Sequence, residues 1–297
     1  MGLGDDAAII RSASKSLLLT TDLLIEDVHF IASLHPPFYL GRKALNVNLS
    51  DIAAMGGTPK FALLGLALEP GLERDYVKQF FLGFKAAAGE SKTGLIGGDI
   101  SASAKIAISV TVIGEGQNPV RRSGANPGDL IFVSGTLGDA AAGLKLLKKG
   151  FKLGKNKKAD ALLRAFLDPV PQISLGRALS SHRAVTAMID MSDGLSVDLL
   201  HLCEESRVGA DVYLEELPLS PEIRFFMKKP ENLALHGGED YQLLFTANPR
   251  NLAVIAKLQK RYNIHWIGKM RRGKDISLID EKGGKRPLEI KGFEHLS

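Results

Sequence analysis

Apolar residues recur along this chain of 297 residues with two spacings, one typical of strands and the other typical of helices. Short apolar runs between glycine, proline or polar residues predict strands, and the run LLLTT at residues 17–21 is an example. Longer segments with apolar residues three or four positions apart predict helices, several of which begin at a proline or a short polar residue. We predict strands at about residues 7–10, 17–21, 61–68, 94–97, 105–113, 129–134, 186–190, 210–214 and 241–246. We predict helices at about residues 38–55, 71–89, 139–149, 159–167, 171–180, 194–205 and 250–261.

A domain boundary is predicted within the segment GEGQNPVRRSGANPGD at residues 114–129, which is dense in Gly, Pro and Asn between two predicted strands. We place an N-terminal domain at residues 1–118 and a C-terminal domain at residues 119–297. The chain length and an apolar content of 45% allow each domain its own core. Strands and helices alternate in both halves, so both domains are expected to be mixed α and β.

Composition narrows the class of protein. No apolar run approaches the roughly 20 residues that span a bilayer, and the N-terminus lacks a signal-peptide pattern, so we expect a cytoplasmic protein outside the membrane. The single cysteine, Cys203, excludes an intrachain disulfide and a thiolate-rich zinc site. The net charge of +5 comes largely from residues 145–158 and 269–274, where no aromatic residues alternate with the cations. These segments indicate solvated surface, and we expect no nucleic-acid partner.

Carboxylates occur repeatedly beside glycine or hydroxyl residues where the predicted strands begin or end. The residues in these positions are Asp5, Asp6, Thr20, Thr21, Asp22, Asp99, Asp190, Ser192, Asp193, Glu239 and Asp240. Asn48 and Asp51 add two polar side chains to one face of an otherwise apolar helix. A turn or a helix cap explains any one of these acids. Taken together, and without a His or Cys cluster, they match the hard oxygen ligands of Mg²⁺, which in proteins is often bound with substrate phosphates.

The common nucleotide-binding motifs are missing from the sequence. It contains no GxxxxGK[ST], no protein-kinase catalytic loop and no GxGxxG after the first predicted strand. The segment VSGTLGDAAAGLKLL at residues 133–147 passes through a glycine-rich turn into a helix whose N-terminus could bind phosphate, although an ordinary helix start with Asp139 near the cap is favoured. Arg121 and Arg122 could bind phosphate or form a surface pair.

Seven motifs together resemble the thiamine-monophosphate kinase family of the aminoimidazole-ribonucleotide-synthetase-like, or PurM-like, superfamily. In chain order they are GLGDDAAI, TTDLLIEDVHF, NVNLSDIAAMGG, IGGD, RRSGANPGD, IDMSDGLSVDL and HGGEDYQLLF, and the resemblance extends to KGFEHL at the C-terminus. It implies two α+β domains, the N-terminal ones pairing their sheets across a homodimer and the C-terminal one forming an α/β sandwich. It also implies the transfer of phosphate from ATP to thiamine monophosphate, assisted by several Mg²⁺ ions.

The resemblance assigns roles to individual residues. The implied Mg²⁺ ligands are Asp6, Thr20, Thr21, Asp22, Asp51, Asp99, Asp190 and Asp193, of which Asp51 and Asp193 are the implied catalytic residues. The implied ATP contacts are Gly98, Asp99, Arg122 and Ser192, and the implied thiamine contacts are His29, Glu239 and Phe293. Asp5 is the implied support of Asp6.

In the implied reaction, a phosphate oxygen of thiamine monophosphate attacks the γ-phosphorus of ATP in line. This oxygen is already ionised, so no strong general base is needed, which fits the lack of a recognisable Ser–His or Cys–His arrangement.

Other functions stay open from the residues alone. A metal-dependent phosphohydrolase could use the same carboxylates to activate water, and a metal-binding scaffold or a basic nucleic-acid binder would need no ATP chemistry. Among related ATP-using enzymes, a selenophosphate synthetase would need a reactive Cys or selenocysteine near its N-terminus. The hydrogenase-maturation relative ends in a cysteine, whereas this chain ends in HLS.

Overall fold

A computed structural model describes residues 4–11 and 15–292 of the chain. The strands are β1 (Ala8–Arg11), β2 (Ser16–Ile25), β3 (Thr58–Leu68), β4 (Gly94–Ala102), β5 (Ala107–Gly116), β6 (Leu130–Ser134), β7 (Ala187–Asp190), β8 (Gly209–Tyr213), β9 (Leu243–Ala247), β10 (Ile264–Arg271), β11 (Ile276–Ile279) and β12 (Lys285–Pro287). The helices are α1 (Pro37–Ala54), α2 (Arg74–Ser91), α3 (Asp139–Lys148), α4 (Lys157–Leu167), α5 (Ile173–Ser181), α6 (Leu195–Ser206), α7 (Pro221–Phe226), α8 (Pro230–His236) and α9 (Leu252–Gln259). The prediction of mixed α and β structure in both halves is confirmed.

The N-terminal half forms a five-stranded sheet in the order β1-β2-β5-β3-β4. Neighbouring strands are antiparallel except β3 and β4, which are parallel and joined through α2. Every second residue of β5 is buried, Ile108, Val110 and Val112 among them, because one face of the sheet packs on helices. The opposite face, here called the outer face, leaves Leu23, Phe61 and other apolar side chains exposed.

Helix α1 lies between the N-terminal sheet and the C-terminal half, in contact with α2, α5 and β7. It begins with Pro37, whose fixed φ suits the first turn of a helix. It packs closely on α2 through two glycines, since a Cβ on Gly41 would lie 2.0 Å from the Phe80 carbonyl oxygen and one on Gly83 would lie 1.7 Å from that of Phe38. This contact fixes the helix that carries Asp51.

The C-terminal half forms a seven-stranded mixed sheet in the order β12-β11-β8-β10-β6-β9-β7. One apolar core joins Ile131 and Val133 of β6 to Leu199 and Leu202 of α6. A second core contains Phe132 and Phe245, whose rings stack with their centroids 5.5 Å apart. The chain passes from one sheet to the other between Gly116 and Leu130, within the predicted linker, and a boundary after residue 118 stays a prediction.

Two predictions about strands need correction. Strands β2 and β4 are longer than predicted, so Asp22 and Asp99 lie inside strands rather than at their ends. Strand β2 continues because β5 pairs with it over its whole length. The sequence also gave no signal for β10, β11, β12, α7 and α8, which are short or interrupted by polar residues. No helix in the described part of the chain is long and apolar enough to cross a membrane.

Candidate active site

Three carboxylates from separate parts of the chain converge beside α1. Asp6 precedes β1, Asp51 lies in the last turn of α1 and Asp190 ends β7. One oxygen from each of the three carboxylates lies within 4.8 Å of the other two. The Thr20 hydroxyl of β2 donates a hydrogen bond to Asp51. Four of the residues that the sequence suggested for metal binding therefore meet at one place.

The carboxylates of this cluster disfavour each other's charge. Burial raises the pKa of Asp51 well above its usual value, and Asp190 and Asp22 raise it further. Burial likewise raises the pKa of Asp190, with Asp6 as the largest electrostatic contribution. The pKa of Asp22 rises to about 6 because of burial and the nearby Glu239. A bound cation would reverse this, since positive charge stabilises ionised carboxylates.

The cluster has the features of a divalent-cation site. Asp6 Oδ2 is buried and accepts no hydrogen bond from any described residue, so it is available to a cation. Its other oxygen accepts a hydrogen bond of 2.9 Å from Arg122 Nη2, which leaves the three carboxylates only partly neutralised. Burial lowers the pKa of Arg122, but Asp6 and the other carboxylates raise it overall, so this side chain stays charged. A set of oxygen donors with excess negative charge fits Mg²⁺.

Asp5 holds the segment that carries Arg122. The Arg122 amide donates a 3.0 Å hydrogen bond to Asp5 Oδ1, and Arg121 Nε lies 4.0 Å from Asp5 Oδ2. The two adjacent aspartates thus have separate tasks, because Asp5 fixes the main chain at Arg122 while Asp6 contacts its guanidinium.

Asn48 has a positioning role in the described structure. Its side-chain oxygen accepts a hydrogen bond of 3.1 Å from the Asp22 amide, and its NH₂ group donates to the Ala44 carbonyl at 3.2 Å. The buried amide therefore links α1 to β2 and fixes the main chain at Asp22.

A cavity of about 700 Å³ lies beside Asp22 and Val47 of α1. Residues from both halves of the chain line it, and those used below are Asp22, His29, Val47, Ser192, Asp193, Glu239 and Tyr241. The Ile25 amide donates to His29 Nδ1 at 3.1 Å, so the neutral imidazole carries its proton on Nε2. His29 can therefore act as a hydrogen-bond donor through that nitrogen.

The loop with Ser192 and Asp193 is held by α6. Asp198 accepts hydrogen bonds from the amides of Asp193 and Gly194, at 3.3 and 3.0 Å. The C-terminal segment approaches the same loop, since a Cβ on Gly292 would lie 2.7 Å from the Asp193 carbonyl oxygen. Phe293, the next residue, lies outside the described residues.

Thr21, Gly98 and Asp99 lie apart from the cluster within one chain. Thr21 accepts a hydrogen bond of 3.0 Å from Thr111 on the outer face of the sheet. The register connects Asp22 through β5 and β3 to Gly98 on the edge strand β4, which is three interstrand spacings or about 14 Å. The pairing of Asp99 with Gly65 puts its side chain on the outer face, opposite the helices.

Three residues near the cavity had no assigned role from the sequence. Asp240 accepts hydrogen bonds from the amides of Gly138, at 2.6 Å, and Ala140, at 3.1 Å, so a carboxylate of the chain itself occupies the N-terminus of α3. Asp139 is the first residue of α3, as expected, while Asp240 accepts from the amides at this cap, and burial raises the pKa of Asp240 to about 7. The buried Lys43 contacts Glu239, and the Tyr241 hydroxyl donates to Glu239 at 3.2 Å. Of these residues, the sequence pattern singled out only the two acids of the motif HGGEDY, Glu239 and Asp240.

Comparison with known proteins identifies relatives along the whole chain. The family model for the AIR synthase related protein, N-terminal domain, matches residues 4–115, and the model for the C-terminal domain matches residues 126–281. Thiamine-monophosphate kinase of Aquifex aeolicus is 40% identical, with 99% of this chain and 92% of that protein covered. Thiamine-monophosphate kinase of Escherichia coli K12 is 35% identical, with 100% and 92% covered. A solved structure, "AaThiL complexed with AMPPCP and TMP", is 40% identical with a TM-score of 0.90, and 99% of this chain and 92% of that chain are covered.

Proposed function

The chain belongs to the thiamine-monophosphate kinase family of the AIR synthase related proteins, and from this premise we propose that it transfers the γ-phosphoryl group of ATP to thiamine monophosphate. The products are ADP and thiamine diphosphate. The observation that carries this proposal is the cluster of Asp6, Asp51 and Asp190 beside a cavity lined by both halves of the chain. A full-length relative bound to AMPPCP and TMP supports it, and a phosphohydrolase is not favoured because the curated relatives are named as kinases.

We propose that Mg²⁺ is held by the metal residues that the sequence suggested. The buried, unpaired oxygen of Asp6 and the raised pKa values of Asp51 and Asp190 support this assignment. Thr20 and Asp22 lie beside the cluster, and Asp193 lies in the adjoining cavity. When bound, Mg²⁺ would neutralise phosphate charge and bring the two anionic substrates together.

The remaining site residues are proposed substrate contacts. Ser192 and Arg122 are proposed to bind ATP, and Arg122 Nε, which is buried without a hydrogen-bond partner among the described residues, supports a further acceptor there. His29 and Glu239 are proposed to bind thiamine monophosphate, since both line the cavity. Phe293 is proposed for the same site because Gly292 packs against the main chain of Asp193.

Transfer is proposed to be direct. The attacking phosphate oxygen of thiamine monophosphate arrives ionised, so it displaces ADP from the γ-phosphorus in line without a general base. The Ser196–His236 pair, 3.0 Å apart, is not a candidate nucleophile, because Ser196 is buried and donates to the Lys291 carbonyl at 2.6 Å. This pair anchors the C-terminal segment instead.

A second copy of the chain is proposed to complete the site. The outer face exposes apolar side chains from three strands, namely Ile10, Leu23, Phe61 and Leu63, all at least 40% exposed. Pairing two such faces would bury this apolar surface and bring Asp99 of one copy towards Thr21 of the other. The separation of Asp99 from Asp22 within one chain supports this arrangement. Cytoplasmic location stays a prediction.

Incubation of the protein with ATP, Mg²⁺ and thiamine monophosphate tests the proposed function. We expect thiamine diphosphate and ADP in equal amounts, and no phosphorylated protein by mass spectrometry during turnover. Release of inorganic phosphate at the same rate without thiamine monophosphate would instead identify a phosphohydrolase.

A further inference from the structure

Lys43 is a lysine in the interior of the protein. It lies on α1 with no solvent exposure and is the largest fully buried side chain in the described part of the chain. Burying an ammonium group costs free energy unless the group is paired, so the contacts that compensate Lys43 need to be identified. Lys43 and Asp51 are eight residues apart on α1, which separates them by about 12 Å along the helix, with the cavity-lining Val47 between them.

The contacts of Lys43 locate its ammonium group from two sides. Lys43 Nζ donates to the Phe166 carbonyl at 3.2 Å and lies 3.9 Å from the centre of the Phe166 ring. A cation over an aromatic face is stabilised, and more strongly so where water is excluded. Lys43 Nζ also donates to Glu239 Oε2, the one carboxylate within ion-pair distance of it among the described residues. Phe166 thus fixes the ammonium, and the ammonium in turn fixes Glu239.

Glu239 lies in a segment whose other atoms are also held. Its φ of 75° lies in the left-handed region, which a residue with a side chain seldom adopts. The Glu239 amide donates to the Ser192 carbonyl at 2.7 Å, and Glu239 Oε1 accepts from the Tyr241 hydroxyl at 3.2 Å. The carboxylate retains 25% exposure towards the cavity, whereas the Lys43 side chain retains 1%. The Glu239 carboxylate therefore faces the cavity, while the Lys43 side chain that holds it is shielded from solvent.

We propose that Lys43 is a positioning residue for the acceptor substrate: its buried ammonium holds the Glu239 carboxylate in one orientation at the wall of the cavity. This inference rests on the proposed function and deepens it. Lys43 touches no substrate itself, and its effect passes through Glu239. The pair therefore sets the affinity for thiamine monophosphate and not the affinity for ATP.

Kinetics of Lys43→Met, Glu239→Gln and the double variant test this role. We expect Lys43→Met to raise KM for thiamine monophosphate about tenfold or more, because it leaves Glu239 unpaired, with KM for ATP unchanged within about twofold. Direct binding of thiamine monophosphate by calorimetry should weaken by the same factor. The double variant should match Glu239→Gln alone, since Lys43 then has no carboxylate to hold. Lys15→Met, which removes an exposed ion pair with Glu115, is the matched control and should change neither KM.

Each outcome decides the role of Lys43. An unchanged KM in Lys43→Met, or an effect that multiplies with that of Glu239→Gln, would overturn it. If Lys43→Met does not fold, the comparison of Glu239→Gln with the double variant decides, because a further rise in KM would mean that Lys43 acts independently of Glu239. A wild-type protein that forms no thiamine diphosphate would refute the proposed function, while weakened calorimetric binding in Lys43→Met would still support the positioning role.

Discussion

Asp51 lies where a carboxylate is least expected. It is in the last turn of α1, where the helix dipole disfavours negative charge, and burial with Asp190 and Asp22 raises its pKa well above the usual value. A group so placed costs the metal-free protein free energy. Its retention is understandable if the carboxylate holds a cation, as proposed.

We predict that Asp51→Asn lowers turnover about 100-fold or more, the scale seen when a group that stabilises transition-state charge is removed. The same change should raise the melting temperature of the metal-free protein, since it removes one of three repelling carboxylates. Steady-state rates across a Mg²⁺ series and calorimetric unfolding check the two effects. Asp75→Asn, at an exposed acid on α2, is the control and should do neither.

The melting temperatures of wild type and Asp51→Asn should diverge with pH. Carboxylates whose pKa is raised on folding stabilise the protein fully below about 4, their unfolded value, and this stability is lost as pH rises through the folded value, about 6 for Asp22 and higher than usual for Asp51. The two proteins should therefore match near pH 4, and the variant should be more stable above pH 7. A wild type that is the more stable of the two at pH 8 without metal would contradict the repulsion.

The types of residue in the sequence identified many members of the candidate site, but the sequence did not show which of them lie close together in space. Asp6, Asp51 and Asp190 were candidates because acids at the ends of predicted strands and inside an apolar helix together match the ligands of Mg²⁺, and they do converge. The separation of Asp99 from them depends on strand register, which the sequence pattern did not give. Lys43 gave no signal, because a lone lysine in an apolar helix usually extends its ammonium to solvent.

At the scale of elements, α1 is the support on which the site depends. It carries Lys43, Asn48 and Asp51, and it is held by the close glycine contact with α2. Its limits were predictable to within one residue because a proline opens it and glycines follow it. The contact between α1 and α2 was not predictable, because the sequence does not show that Gly41 and Gly83 lie where the two helices touch.

We predict that Gly41→Ala destabilises the protein by about 1–3 kcal/mol, because the new methyl group would overlap the Phe80 carbonyl and force the helices apart. Gly89→Ala is the matched control, since no atom lies within 4 Å of its Cβ position on α2. Alanine there should be neutral or stabilising, by up to about 1 kcal/mol, through helix propensity. Urea unfolding measures both, and equal effects from the two changes would rule out a tight contact at Gly41.

At the scale of the whole molecule, the apolar outer face and the distant Asp99 support the proposed pairing with a second copy. The sequence predicted a strand at about residues 105–113, and the structure shows that alternate residues of β5 are buried and which apolar residues of the sheet are exposed. Only the resemblance to the family implied that a second copy of the chain covers these exposed residues. The cavity between the two halves likewise depends on their packing and had no signature in either half.

Mixed dimers test whether Asp99 acts across the proposed interface. We predict that Asp51→Asn and Asp99→Asn are each inactive alone, and that a mixture of the two, after subunit exchange, regains about a quarter of wild-type activity, since half the dimers are mixed and each has one intact site. Sedimentation establishes the dimer beforehand. A mixture as inactive as its components, in spite of demonstrated exchange, would mean that Asp99 acts within its own chain.

The central claim is that the nucleophile is a phosphate oxygen of thiamine monophosphate, placed by this cavity next to the carboxylate cluster. The most direct measurement compares thiamine monophosphate with thiamine as acceptors, at equal concentration with ATP and Mg²⁺, by chromatography of the phosphorylated products. Thiamine offers the same rings, but its hydroxyl would have to lose a proton and would lack the metal contact, and orientation of this kind can supply roughly 7–11 kcal/mol of a barrier. The account predicts thiamine diphosphate from thiamine monophosphate and no measurable product from thiamine, whereas comparable rates with the two acceptors would contradict it.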